Sequence, residues 1–488
     1  MKKYIFIIAA ITLFSCKKEL NTSPTDAISD QVVFSNISNA EEALNGIYRA
    51  LYIQYAGQSE DGQGAMMINI DWMGDDVVHT AAGTSYFREA YKWNSHRDAS
   101  SALTYFAYRF YYIIISNANS IINNIDAVEG ETSEKNRIKA EALSLRAWGH
   151  FYLVQLFGER YDAGKENTQL GVPIMTTSNT DAHARNTVEE VYTQINADLD
   201  AAITLFGDAA ARTAKTHFNL NVAEGLKARV ALTMQDYATA ASYAMKALNG
   251  FPLMTNTVYM AGFTDISNNE WMWGINQLAD QLYTYGTFYT YMSANFYSSS
   301  HTKNNPKAIN KLLYAKITAT DVRKGLWDST GKNTAFPIVN NGVRKAYMHR
   351  KYLVADINST AGAIPYMRAA EMYLIAAEAL AREGGHDAEA AEALYTLAVN
   401  RDPQYQLTTS TGTALLNEIM VQRRVELWAE GFRFLDLKRT NSALDRTNSN
   451  HTSALANILS VDAGDKRWQF LIPDDEMNAN SLMEQNPL

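Results

Sequence analysis

The carboxylates come first, because paired acids are the commonest catalytic apparatus a sequence displays. In EIMVQRRVELWAEGFRFLDLKR, Arg423, Glu426, Glu430 and Arg433 follow one another at spacings of three, four and three, which puts all four on one face of a helix. Glu426 and Glu430 could form a general acid–base couple. The rest of that helix is apolar over a wide arc, so it is buried and its charges must be paired. An arginine three residues from each acid keeps it ionised, which favours a structural ion-pair network over proton transfer. A second acidic stretch holds Asp75, Asp76 and His79. Adjacent acids on a strand point to opposite faces and cannot share a substrate. No second spaced His or Cys supports a transition-metal site, although calcium on carboxylates and carbonyls stays open as a structural ion. Neither pair of acids has a separation fixed for glycoside hydrolysis. No G-x-S-x-G, P-loop or H-E-x-x-H motif occurs. The chain therefore reads as a binder with no catalytic residues, no cofactor and no bound transition metal.

Two stretches have the chemistry to hold a sugar, which needs an aromatic face for its C–H bonds and polar groups for its hydroxyls. The first, DWMGDDVVHTAAGTSYFREAYKWN, supplies Trp72, Asp75, Asp76, Tyr86, Arg88, Trp93 and Asn94. The second, QLYTYGTFYTYMSANFY, has seven aromatics in seventeen residues, among them Tyr283, Tyr285, Tyr289 and Tyr291. Trp271 and Trp273 alternate in EWMWGINQ, a candidate strand, and read as core.

These stretches interrupt a helical frame. Helical periodicity runs over 39–54, 102–125, 134–157, 187–205, 219–248, 366–383, 388–399 and 413–440. LKARVALTMQDYATAASYAMKAL and YLIAAEALAREGGHDAEAAEALYTLAV each read as helix, tight turn, helix, with small residues where the helices meet. They resemble tetratricopeptide repeats, which stack helix pairs into a solenoid. Residues 55–100 and 251–365 are loop-rich insertions of the length that usually carries function. The division expected is a leader over 1–15, a tether over 16–38, a helical region over 39–250 and a second region over 251–488.

The single cysteine, Cys16, follows Lys2, Lys3 and an apolar run from Tyr4 to Phe14. This is the layout of a secretory signal peptide, too short to span a membrane. Leu13-Phe14-Ser15-Cys16 resembles a bacterial lipobox, which implies cleavage after Ser15 and acylation of Cys16; several acyl chains make a stable anchor. The net charge of −9 argues against nucleic acid and against docking on anionic lipid.

Four segments in order resemble the SusD/RagB family. QRRVELWAEGFRFLDLKR is similar to its signature ERRxELxxEGxRxxDLxR, with Gln422 in place of the first acid. AEALSLRAWGHFYLVQLFG, YMRAAEMYLIAAEAL and FLIPDDEMNANSLMEQNPL are similar to its other motifs, the last lacking a final glycine. The resemblance implies a mainly α fold, with a tetratricopeptide-like scaffold of helix pairs carrying long irregular insertions and short strands. It implies a lipoprotein of the outer membrane, facing the exterior. Its function would be to bind an oligo- or polysaccharide and pass it to a partner TonB-dependent β-barrel transporter. Peptide in place of glycan is the alternative ligand, and a glycoside-active enzyme the remoter alternative. The family's ligand site is built from an early and a middle loop region.

Overall fold

A computed structural model describes residues 33–83, 86–283, 285–339 and 341–488. The leader, Cys16 and most of the tether lie outside the described residues. Twelve helices of six residues or more are described: α1 (Ile37–Ala50), α2 (Gly62–Trp72), α3 (Ala102–Asn124), α4 (Thr132–Phe157), α5 (Val188–Gly207), α6 (Leu220–Met234), α7 (Tyr237–Ala247), α8 (Ala369–Glu383), α9 (Asp387–Arg401), α10 (Gly412–Glu426), α11 (Arg433–Arg439) and α12 (Asp474–Ala479).

From α3 to α9 each helix packs on the next in sequence, and α10 joins on α8, so the frame is a stack of helix pairs. The turns are chemically plain. Gln235 ends α6 in the left-handed region, and the Asp236 side chain accepts the Thr239 N–H to start α7. Ala240, Ala244 and Ala247 are buried where α7 meets its neighbours, the close approach that small side chains allow. Buried ion pairs seam the stack. Arg146 of α4 binds Asp198 of α5 at 2.8 and 2.6 Å. Arg229 of α6 binds Glu371 of α8 at 2.5 and 2.6 Å. Arg439 of α11 grips Glu378 of α8 at 2.8 and 2.7 Å. The chain end closes back on α4: the Asn486 amide donates to the carbonyls of Phe157 and Phe470, each at 2.7 Å.

The insertions contribute the sheets. β1 (Val77–His79), β3 (Lys307–Ile309), β5 (Met348–His349) and β4 (Trp327–Asp328) form one sheet in that order. β2 (Trp271–Gln277) pairs antiparallel with β6 (Gly362–Arg368), and its Trp271 and Trp273 are fully buried. β1 belongs to the first insertion and β3 to the second, with Val77 opposite Ile309. The two insertions are thus joined by backbone hydrogen bonds.

Two expectations need correction. The stretch 55–100 holds α2, a helix buried on every side that shows no polar stripe in sequence. The helix expected over 413–440 breaks between Glu426 and Arg433. Ala429 and Gly431 take φ of 61° and 87°. A Cβ on Gly431 would lie 2.8 Å from Met67 Cγ. The Asp71 carboxylate then accepts the N–H groups of Gly431, Phe432 and Arg433 at 2.5, 3.1 and 3.0 Å, capping α11 from another helix.

The break redistributes the charges. Arg423, Glu426, Glu430 and Arg433 are not paired with one another. Arg423 binds Asp436 at 2.8 Å, and Arg433 binds Asp75 at 2.5 Å. Glu426, fully buried, takes Arg323 at 3.2 Å and both Arg368 and Arg401 at 3.1 Å. Glu430 takes Arg368 at 2.7 Å and Lys351 at 2.5 Å. Glu270 completes the cluster through Arg368 and through Arg401 at 2.7 Å. Burial opposes ionisation of Glu426 and Glu430, but the surrounding cations hold both below the usual carboxylate range.

Glu430→Ala is expected to destabilise the protein by about 3–5 kcal/mol, since it leaves the buried Lys351 without a carboxylate and takes one of three from Arg368. A urea titration checks this; a midpoint equal to the parent's would contradict it.

Candidate functional site

Several residues from the aromatic stretches are structural. Trp72 is buried edge-on to His79 at 4.2 Å, with Lys307 Nζ 4.7 Å over its ring. Trp93 is buried against Trp468 at 4.8 Å and Phe434 at 5.6 Å, and its indole N–H donates to Met73 O at 2.7 Å. Tyr289 is buried with its hydroxyl donating to Ala363 O at 2.6 Å, and Tyr291 is buried with its hydroxyl on Gln58 O at 3.3 Å. None of the four has a face to offer a ligand.

Asp75 and Asp76 are likewise internal, and they face the same cations instead of opposite sides. Arg424 reaches Asp76 at 2.6 Å and Asp75 at 3.2 Å; Arg433 reaches Asp75 at 2.5 Å and Asp76 at 3.4 Å. Both acids lie in the turn before β1 or at its edge, where the alternation of a regular strand does not apply. Burial works against Asp75's charge, but Arg433 and Arg424 hold its carboxyl well below the usual range; burial keeps Asp76 above it. Gly74 makes the geometry accessible, since a Cβ there would sit 2.6 Å from Arg433 Cγ. His79 is stacked on Tyr91 at 4.2 Å, and burial pushes its pKa well down. Among the described residues no group of three or more His, Cys, Asp or Glu could hold a metal ion.

Four tyrosines of the two insertions face outward. Tyr283, Tyr285 and Tyr297 of the second insertion are 44, 45 and 49% exposed, and Tyr86 of the first is 36% exposed. The insertions pack together at Tyr86 and beside Tyr285. Phe87 packs edge-on to Tyr291 at 4.8 Å, and Tyr86 lies 6.3 Å from Tyr291 and 5.7 Å from His301. Gly286, with φ of 112°, passes so close to the first insertion that a Cβ would lie 3.1 Å from Gln58 O.

Next to Gln58, Ser59 and Glu60 open a cleft of about 340 Å³ lined also by Tyr86, Glu89, Asn94, Asp98 and Ser101. Asn94 is exposed and donates to Glu89 at 2.8 Å. That hydrogen bond, with Lys92 at 3.0 Å, keeps the Glu89 carboxylate below its ordinary pKa and ready to accept. Arg88 is half-buried beside Glu89 at 3.5 Å. Tyr86 and Asn94 therefore line the cleft, Arg88 flanks it, and Tyr283 and Tyr285 stand on the neighbouring insertion. Ser59, Glu60, Asp98 and Ser101 escaped the sequence reading. Ser101 and Asp98 look like helix-start residues, and Ser101 does cap α3; nothing local marks them as cleft-lining too.

Chemically, the arrangement offers aromatic faces beside carboxylates, amides and hydroxyls. Such a surface has the groups that a hydroxyl-rich ligand needs. Glu426 and Glu430, the acids first weighed as an acid–base couple, are sealed inside an arginine cluster, and neither lines the cleft.

Comparison with known proteins agrees over the whole chain. A family model described as "SusD family" matches residues 132–488, and one described as "Starch-binding associating with outer membrane" matches residues 26–232. A SusD-like protein of Formosa agariphila is 25% identical over the full length of both chains. The crystal structure of a SusD-like carbohydrate binding protein from Bacteroides vulgatus superposes with a TM-score of 0.80 at 26% identity, covering 92% of this chain and 98% of that one. A SusD superfamily protein from Bacteroides thetaiotaomicron gives 0.77 at 27% identity, covering 93% of this chain and all of the other.

Since Trp93 is a packing residue, Trp93→Ala is expected to cost about 3–5 kcal/mol of stability. Any ligand affinity, measured on the fraction still folded, should stay unchanged. Thermal unfolding and calorimetric titration on the same sample separate these; an unshifted melt with lost binding would return Trp93 to the site.

Proposed function

Because this chain belongs to the SusD family, whose model spans residues 132–488, we propose that it is a surface glycan-binding lipoprotein that feeds a partner transporter. It captures an oligo- or polysaccharide and hands it to a TonB-dependent β-barrel in the outer membrane. Acylation of Cys16 anchors it there, facing the exterior. Among the described residues no helix is long and apolar enough to cross a membrane, which accords with a lipid anchor. Carbohydrate is the ligand named for the Bacteroides vulgatus relative.

The observation that carries this reading is the placement of Tyr283, Tyr285, Tyr297 and Tyr86. All four are exposed and lie on the two insertions that pack together through Phe87, Tyr291 and Gly286, with Tyr86 lining a cleft of carboxylates and amides. Tyrosine rings stack on the C–H faces of sugar rings. Glu60, Glu89 and Asp98 accept hydroxyl hydrogens, and Asn94 can both donate and accept. The rings cost little to order, because a tyrosine has only two side-chain torsions to fix. Binding leaves the glycosidic bond intact.

Tyr283→Ala combined with Tyr285→Ala is expected to weaken oligosaccharide binding about tenfold, or about 1.4 kcal/mol. The melting temperature should stay within about a degree, since both rings are exposed. Calorimetric titration and a thermal melt check both. Unchanged affinity would place the binding face elsewhere.

Cys16→Ala should abolish incorporation of labelled fatty acid and release the protein from the membrane fraction. A variant still membrane-bound and labelled would contradict the anchor.

A further inference from the structure

A second cleft, larger than the first, lies further along α3. It measures about 480 Å³ and runs between α3, the 173–183 segment and α12. We propose that this cleft is a second saccharide subsite, selective for neutral sugars, that engages the same glycan chain as the tyrosine junction. The proposal rests on the glycan-binding reading above and extends it.

The lining has the same chemistry as the first site. Tyr105 is 37% exposed, with the Arg109 guanidinium 5.8 Å from its ring centroid. Deeper in, the Tyr112 hydroxyl donates to Pro173 O at 2.8 Å, and the Tyr108 ring packs on Tyr112 with centroids 4.7 Å apart. Glu476 also accepts from the Asn480 amide at 2.9 Å, so its carboxylate is oriented at the cleft wall. Asp181 and Asp475 add further acceptors. An aromatic face over oriented carboxylate, phenol and amide groups suits a sugar.

The charge of the lining selects among sugars. Asp181, Asp475 and Glu476 stand against the one guanidinium of Arg109. A sulfated or uronic-acid chain would meet like charge in a partly dry cleft, which costs affinity. The first cleft has the same bias, through Glu60, Glu89 and Asp98.

Geometry links the two. Ser101, Ala102 and Leu103 line the first cleft, and Tyr105, Tyr108, Arg109 and Tyr112 line the second. At about 1.5 Å of rise per residue these groups span about 17 Å along the axis of one helix. An oligosaccharide of several units can span that distance and gain from both contacts.

The test uses the full-length protein in detergent. The probes are gluco-, manno-, xylo- and galacto-configured oligosaccharides of two to eight units, with sulfated galacto-oligosaccharides beside them, titrated calorimetrically. The parent should bind at least one neutral series, more tightly as the chain lengthens, and the sulfated series at least tenfold more weakly. Tyr105→Ala with Arg109→Ala should lower affinity for the octasaccharide about tenfold and flatten its dependence on length. Should that variant unfold early, Asp475→Asn with Glu476→Gln, on the outer turn of α12, is read instead and should lose a comparable factor. If these variants match the parent while Tyr283→Ala with Tyr285→Ala loses binding, the second subsite is refuted and the first stands. Preference for the sulfated series refutes the neutral selectivity. No binding by the parent to any probe overturns both the subsite and the reading it rests on.

Discussion

Glu270, Glu426 and Glu430 are held out of water together with Arg323, Arg368, Arg401 and Lys351. Each of these groups would be costly to bury alone, so each depends on the others being in place. The cluster also joins segments far apart in sequence. Glu270, Arg323 and Lys351 come from the second insertion, Arg368 from the end of β6, Arg401 from α9, and the two other acids from α10 and the turn beyond it. The insertion is therefore not an ornament on a self-sufficient frame. It supplies three of the seven charges at the centre of the molecule, as well as core residues such as Trp271, Trp273 and Tyr352.

The same turn holds the first insertion. Asp71 caps α11 through the N–H groups of Gly431, Phe432 and Arg433, and Arg424 and Arg433 clamp Asp75 and Asp76. Residues 424–433 thus fix both insertions at once, and β1 against β3 completes the joint. That joint also sets Tyr86 against Tyr291 of the second insertion. A pre-formed face of this kind binds without first ordering its own loops, which spares the entropy a floppy site would lose.

The helical frame was readable because its stripes have the right period and its turns carry their usual residues, as at Gln235-Asp236. The strand over 271–277 was readable from Trp271 and Trp273. Other features were not legible, for physical reasons. α2 is buried on all sides and carries two glycines, so GQGAMMINIDW has no amphipathic signal. The break after Glu426 depends on Met67 and Asp71, which approach from a helix about 360 residues away. The partners of Glu426 and Glu430 are equally non-local, so sequence spacing pointed to Arg423 and Arg433 in their stead. In the tyrosine run, composition marked the segment as unusual but could not sort its members. Tyr285 is exposed and Tyr289 buried four residues later, because a short helix over Phe288–Met292 turns its rings into the core.

Hydrogen–deuterium exchange with and without a bound oligosaccharide tests the account most directly, since it reads the joint and the face in one experiment. Residues 424–433 and 364–369 should exchange among the slowest in the protein and be unaffected by ligand. Added protection should appear in 57–61, 86–103 and 279–287 together. Fast exchange across 424–433, or ligand protection in only one of the two insertions, would contradict a joint that holds both insertions to one ligand.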